Sequence, residues 1–164
     1  MQQPANGPAE QPRWLDGTEL EAWMALAELM VKLPAALDAQ LQRDAELTMF
    51  EYFVLSALSM AQGRTMRMSA LAAIVNGSLS RLSNVVKRLE QREWVRRERC
   101  PDNGRYTNVV LTEAGWDLVV ASAPGHVAAV RHFIFDVLTA EQVAALTQIG
   151  RRIGQRVDPD PQWP

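Results

Sequence analysis

The stretch from Ser69 to Thr112 constrains the fold more than any other part of this 164-residue chain. Ser69 can cap a short helix over Ala70 to Val75, and Asn76-Gly77 is a helix stop, because both residue types tolerate the left-handed backbone that closes a helix. Ser78 or Ser80 can cap a second helix running to about Arg92. In it Leu82, Val85, Val86 and Leu89 recur at i, i+3, i+4 and i+7, which makes one inward stripe. Trp94 to Arg99 reads as a short strand and Pro101-Asp102-Asn103-Gly104 as a turn. Tyr106 to Leu111, rich in Thr, Val and Tyr, reads as the returning strand. Helix, turn, helix, strand, turn, strand predicts a mainly α fold: a winged helix-turn-helix with a small β-hairpin wing.

Long helices flank this stretch. Thr18 to Arg43 carries Leu20, Trp23, Met24, Ala27, Met30, Val31 and Leu37 near helical spacing, with Pro34 expected to kink or split it. Thr48 with Glu51 forms a capping-box pattern ahead of an apolar helix, Met49 to Met60, which Gly63 follows. Thr112 caps a helix expected to reach Val137 with a bend at Pro124-Gly125, and Thr139 with Gln142 opens a last one to about Val157. The expected organisation is a disordered tail over 1–15, a domain over 16–157 and a frayed tail over 158–164. Within the domain, a lobe spans about 47–112, and 18–43 and 112–157 are pairing helices. The tail lacks the basic start and apolar core of a signal peptide, and no apolar run approaches the ~18 residues of a membrane span, so the expectation is a cytoplasmic protein with no membrane partner.

The net charge of −2 hides a strong asymmetry. Between Arg64 and Arg105 ten Lys or Arg face four acids, a local excess of six, which leaves −8 for the remainder. A basic segment in an acidic body fits a polyanion. The side of the second helix opposite its apolar stripe carries Ser80, Arg81, Ser83, Asn84, Lys87 and Arg88. Arg can pair with guanine and Asn with adenine through two hydrogen bonds, Ser can bond bases or phosphates, and Lys neutralises phosphate. Arg81 and Asn84, early on the helix, are the expected base readers, and Lys87 and Arg88 the expected phosphate contacts. Arg105, beside Gly104 in the hairpin turn, suits the negative potential of a narrow minor groove.

The chain resembles the multiple antibiotic resistance regulator (MarR) family of winged-helix transcription factors over roughly Thr18 to Val157. The residues that carry the resemblance are Leu89-Glu90-Gln91-Arg92 with Trp94-Val95-Arg96-Arg97, and Asp102-Asn103-Gly104-Arg105 followed by Val109-Val110-Leu111-Thr112-Glu113-Ala114-Gly115. The wing-to-helix junction is the most diagnostic part. The resemblance implies a homodimer joined through the first and last two helices. It also implies a pseudo-palindromic double-stranded DNA operator with one recognition helix per half-site, repression as the usual mode, and Arg105 as the wing arginine. It further implies a possible small-molecule effector between pairing helices and lobe, for which Trp23, Phe50, Phe53 and Trp116 are the candidate lining residues; the alternative is that they are core. Two positions depart from the family pattern. Glu93 stands where glycine is frequent, so a left-handed cap there costs strain or the helix ends differently. Asn103 stands where an aspartate often braces the wing arginine, with Asp102 one residue earlier.

The dimer has support apart from the resemblance. Val127, Val130, Phe133, Ile134, Val137, Leu146, Ile149 and Ile153 are among more apolar residues than one small winged domain covers, and pairing would space two recognition helices ~34 Å apart. An enzyme is not expected: there is no phosphate loop, dinucleotide glycine pattern or nucleophile elbow. The remaining alternative, a winged-helix module for protein contacts or an anti-repressor, has no need of Arg81, Lys87, Arg88 and Arg105. No cofactor and no metal are expected, since His126 and His132 lie six apart. Cys100 is the single cysteine, so no second thiol resolves an oxidised one, and a redox role is not expected.

Overall fold

The structure, a computed structural model, describes residues 12–100 and 104–158. Contacts divide the chain into residues up to Pro34 and residues from Ala35 onward. In the first unit, helix α1 (Gly17–Ala45) starts one residue before the expected Thr18. Asp16 opens it: its carboxylate accepts the Glu19 N–H at 2.8 Å while Glu19 accepts the Asp16 N–H at 3.1 Å, a reciprocal cap. Glu28 and Lys32 pair one turn apart. Leu20, Trp23, Met24, Met30 and Val31 are all exposed. The helix continues across Pro34, so of the two expected outcomes, a kink or a split, the split does not occur; the missing N–H removes one bond from a 29-residue run.

In the second unit, α2 (Met49–Met60) is the central pillar, with the Thr48–Glu51 capping box formed in both directions. Val54, Leu55 and Leu58 are fully buried among α3 (Met68–Ile74), α4 (Leu79–Gln91) and the sheet. Helix α3 begins at Met68 after Arg67, so Ser69 lies inside the helix rather than at its cap. It closes as expected: Asn76 takes φ 48°, its N–H reaches the Ala73 carbonyl at 3.2 Å, and that of Gly77 reaches Ala72 at 2.9 Å.

The wing consists of β2 (Val95–Arg99) and β3 (Thr107–Leu111), antiparallel with Val95 opposite Leu111 and Arg99 opposite Thr107. A third strand, β1 (Thr65–Arg67), pairs with the other edge of β3, giving the order β1-β3-β2. Sequence reasoning missed β1 because three residues between a turn and a helix show no periodicity. Its pairing places the α3 start on the sheet.

Helix α5 (Glu113–Phe133) is capped by Thr112 and continues through Pro124-Gly125, the pair at which a bend is expected. It ends at Phe133 instead of Val137, with a tighter turn over Phe135–Val137 before α6 (Ala140–Val157). Glu113–Val137 has a mean hydropathy of 1.3 over its most apolar window and is long enough to cross a membrane by composition, against the expectation of no such run. Its start belongs to the lobe, where Gly115 and Val119 are buried, and Asp117, Arg131, His132 and Asp136 interrupt it.

Helix α4 meets α5 at one backbone junction. Trp94 N–H bonds to the Leu89 carbonyl at 3.0 Å and Glu93 N–H to the Glu90 carbonyl at 2.9 Å, a Schellman closure with Glu93 at φ 60°. The left-handed cap is therefore kept without the glycine. Glu93→Gly removes the clash of Cβ with the carbonyl, and we expect unfolding in urea to show a gain of about 1 kcal/mol. No gain would mean that neighbouring contacts already relieve the strain.

Candidate nucleic-acid interface

Helix α4 is held by its inward stripe: Leu82, Val85, Val86 and Leu89 are all buried. Burying four such side chains at roughly 1.5–3 kcal/mol each fixes the rotation of the helix. Ser80, Arg81, Asn84, Lys87 and Arg88 are consequently exposed and Ser83 is half-buried. The Ser78 hydroxyl caps the helix by accepting the Arg81 N–H at 3.2 Å and lies 3.1 Å from the Ser80 hydroxyl.

The exposed residues divide by what holds them. Ser80, Asn84 and Lys87 share the outermost line at i, i+4, i+7. Along one edge, Arg81 and Arg88 meet α2. The Arg81 guanidinium carbon stands 4.0 Å from the centre of the Phe50 ring. Arg88 places Nε and Nη2 on one oxygen of Glu51, at 3.1 and 3.0 Å. Along the other edge Arg97 of β2 donates to the Ser83 carbonyl at 2.8 Å and pairs with Glu90 at 3.2 Å. Glu90 also accepts the Arg97 backbone N–H at 2.9 Å. Arg88, expected as a phosphate contact, is thus also a brace that ties α4 to α2, and Arg97 ties α4 to the wing.

Sequence reasoning missed Glu51 in this role, seeing only its cap, and saw Arg97 only as part of the basic segment and of the family motif, not as a brace. Neither had a signal, because their partners are distant in the chain. Arg105 is exposed in the turn that leads into β3. Asp102 and Asn103, the candidate braces, lie outside the described residues. Cys100 is buried at the wing base with Arg67 Nη2 at 4.0 Å, and Arg67 also lies over Tyr106.

The four aromatic residues named for an effector differ in setting. Phe50, Phe53 and Trp116 pack half-buried against the core, and Trp116 lies 4.0 Å beneath Arg64, which is paired with Glu113 at 2.9 Å. Trp23 is exposed on the first part of α1. A cleft beside α4 is lined by Gln42, Glu46, Glu51, Arg88, Leu89 and Arg92, and by none of the four.

A second polar cluster joins the last turns of α1 to α2 and α5. The buried Gln40 amide donates to Asp44 at 2.8 Å, and its oxygen lies 3.2 Å from His126 Nδ1. The His126 ring also packs on Tyr52, with centroids 4.6 Å apart.

The MarR family model matches residues 47–107. Sco3205, a MarR family transcriptional regulator from Streptomyces coelicolor solved in complex with DNA, is 40% identical; the match covers 94% of this chain and 99% of that one, with a TM-score of 0.87. AbsC, a MarR family regulator from the same organism, is 38% identical over 91% of this chain and all of its own, with a TM-score of 0.85. CouR from Rhodococcus jostii RHA1, solved bound to p-coumaroyl-CoA, is 21% identical over 85% of this chain and 93% of its own, with a TM-score of 0.72. No curated protein sequence matches the chain.

Both clusters titrate. Burial pulls the Glu51 carboxyl upward, but hydrogen bonds from the Thr48 backbone and hydroxyl and from Arg88 outweigh it, leaving the group below its ordinary 4.5. Burial penalises the His126 cation and holds it below its ordinary 6.5. In both cases the unfolded chain binds the proton more readily, so stability rises with pH. The His126 contribution is complete above 6.5 and is lost as pH falls from there through its folded value. The Glu51 contribution is complete above 4.5 and is lost as pH falls through its own. Urea midpoints measured downward from about pH 7.5 should fall in two stages, the first missing in His126→Gln and the second reduced in Glu51→Gln. A first stage that persists in His126→Gln would assign it to another group.

Proposed function

The chain belongs to the MarR family of transcriptional regulators, and on that premise we propose that it binds a pseudo-palindromic DNA operator as a homodimer and represses transcription by occupying it. The observation that carries this reading is the braced polar face of α4. Its orientation is set by a buried stripe, its edges are tied to α2 and the wing, and its exposed line of Ser80, Asn84 and Lys87 is flanked by Arg81. A rigid helix with this chemistry suits a major groove. Sco3205, solved with DNA, supports the same use of the fold.

The dimer is supported by α6. Leu146, Ile149, Ile153 and Val157 recur at three- and four-residue spacing and are 47–78% exposed, and α6 has no buried residue. Val127, Phe133 and Val137 are exposed as well. A helix whose apolar face is this exposed among the described residues calls for a second copy. In such a dimer each α4 would enter one half-site, with centres ~34 Å apart.

Release by a small-molecule effector is part of the proposal. CouR, a protein of the same fold, is solved with p-coumaroyl-CoA, and Phe53 and Trp116 offer half-buried aromatic surface on this chain.

Selection of bound fragments from random duplex DNA tests the reading. The expected product is a pseudo-palindrome, bound with an affinity that falls steeply with salt. Binding no tighter than to random duplex would favour the protein-contact module. On the selected duplex, Arg81→Ala should cost ~1–3 kcal/mol and relax preference at one position per half-site. Lys87→Ala should weaken all duplexes about equally and make the salt slope shallower. If neither substitution alters binding, α4 is not the reading helix.

A further inference from the structure

We propose that Phe50 is a positioning residue for sequence reading: its ring, seated on Gly77, aims the Arg81 side chain at the operator. The inference rests on α4 being the reading helix.

Phe50 is the second residue of α2, and its ring is half-buried against the lobe's core. The turn between α3 and α4 makes room for it. A Cβ at Gly77 would stand 2.8 Å from Phe50 Cζ, closer than a Cβ approaches another atom, and a tight 3.1 Å from Cε2, so the ring would have to shift. Gly77 is not in the left-handed region, so its glycine serves space and not backbone conformation. The floor of the ring is thus the turn that precedes the reading helix.

The Arg81 guanidinium stands over this ring at 4.0 Å. Its setting differs from that of its neighbours. Arg88 and Arg97 have their guanidinium groups hydrogen-bonded to Glu51 and to the Ser83 carbonyl, and Arg92 to Glu46. Among the described residues no protein hydrogen bond engages the Arg81 guanidinium. A cation held over a ring face is restrained without using its N–H groups. Arg reads guanine with two N–H donors in fixed geometry, and a free Arg side chain loses rotamer entropy when so fixed. Arg81 is therefore ordered in advance with its donors available, and the residue that orders it lies 31 positions earlier in the chain.

The test uses the full chain and the duplex selected from the random pool, with a second duplex altered at the position that Arg81→Ala identifies. Phe50→Leu keeps apolar bulk and removes the π-face. It should lower discrimination between the two duplexes about five-fold, with the salt slope unchanged. Phe50→Tyr should retain discrimination. Gly77→Ala, which displaces the ring and leaves Phe50 and Arg81 intact, should reproduce the loss and covers the case in which Phe50→Leu folds poorly. In an Arg81→Ala background, Phe50→Leu should cause no further loss. A purely structural role would lower the melting temperature and leave discrimination untouched. Unchanged discrimination in Phe50→Leu or Gly77→Ala, or an equal loss without Arg81, overturns the proposal. A wild-type chain that selects no sequence overturns the reading on which it rests.

Discussion

The Trp94 carbonyl is the point on which the joining of the lobe to α5 depends. It accepts the Thr112 N–H at 3.0 Å, where β3 gives way to α5. The Thr112 hydroxyl donates to the Glu93 carbonyl at 2.7 Å and accepts the Gly115 N–H at 3.0 Å, so one side chain caps α5 and grips the end of α4. A Cβ at Gly115 would stand 2.1 Å from the Trp94 oxygen, which no relaxation of a side chain could relieve. Glycine is required there because two backbones touch. Any rotation of α5 is thereby passed to the α4 terminus and to the base of the wing as a displacement of backbone. This is the physical content of a motif that reads, in sequence, as Thr112-Glu113-Ala114-Gly115.

Helix α4 hangs from that junction and is steadied elsewhere. Its apolar stripe sets rotation, while Glu51 on α2 and Arg97 on β2 restrain its two edges through Arg88, Glu90 and the Ser83 carbonyl. The basic residues around α4 thus divide by task. Arg88, Arg92 and Arg97 are hydrogen-bonded within the protein, whereas Lys87 and Arg81 carry the chemistry available to a ligand. The local excess of positive charge overstates how many cations are open to phosphate. The same arrangement gives the acidic residues a purpose, since Glu46, Glu51 and Glu90 each hold one of those arginines.

Much of this architecture was legible in the chain because its determinants are local. Thr48 with Glu51, Ser78, Thr112, and Thr139 with Gln142 cap helices within three residues of themselves, and each does so in the structure. Asn76 closes α3 by the same short-range logic. The failures have equally particular causes. Pro34 does not split α1, because a long helix tolerates one missing hydrogen bond. Strand β1 exists only because β3 pairs with it. At Glu93 the sequence left two outcomes open, and the strained left-handed cap is the one adopted, held by the Schellman bonds and the Thr112 contact.

The sequence by itself determined the order of elements, the inward stripe of α4 and the residues that face away from it, since each follows from helical or strand periodicity. Only the tertiary structure decided what the unit from Ser69 to Thr112 does with its cations. Arg88 meets Glu51 across 37 residues, Arg97 meets Ser83 across 14, and Arg81 lies over a ring from another helix. Such pairings depend on how α2, α4 and the sheet pack. No periodicity along one segment encodes the distance between side chains on two.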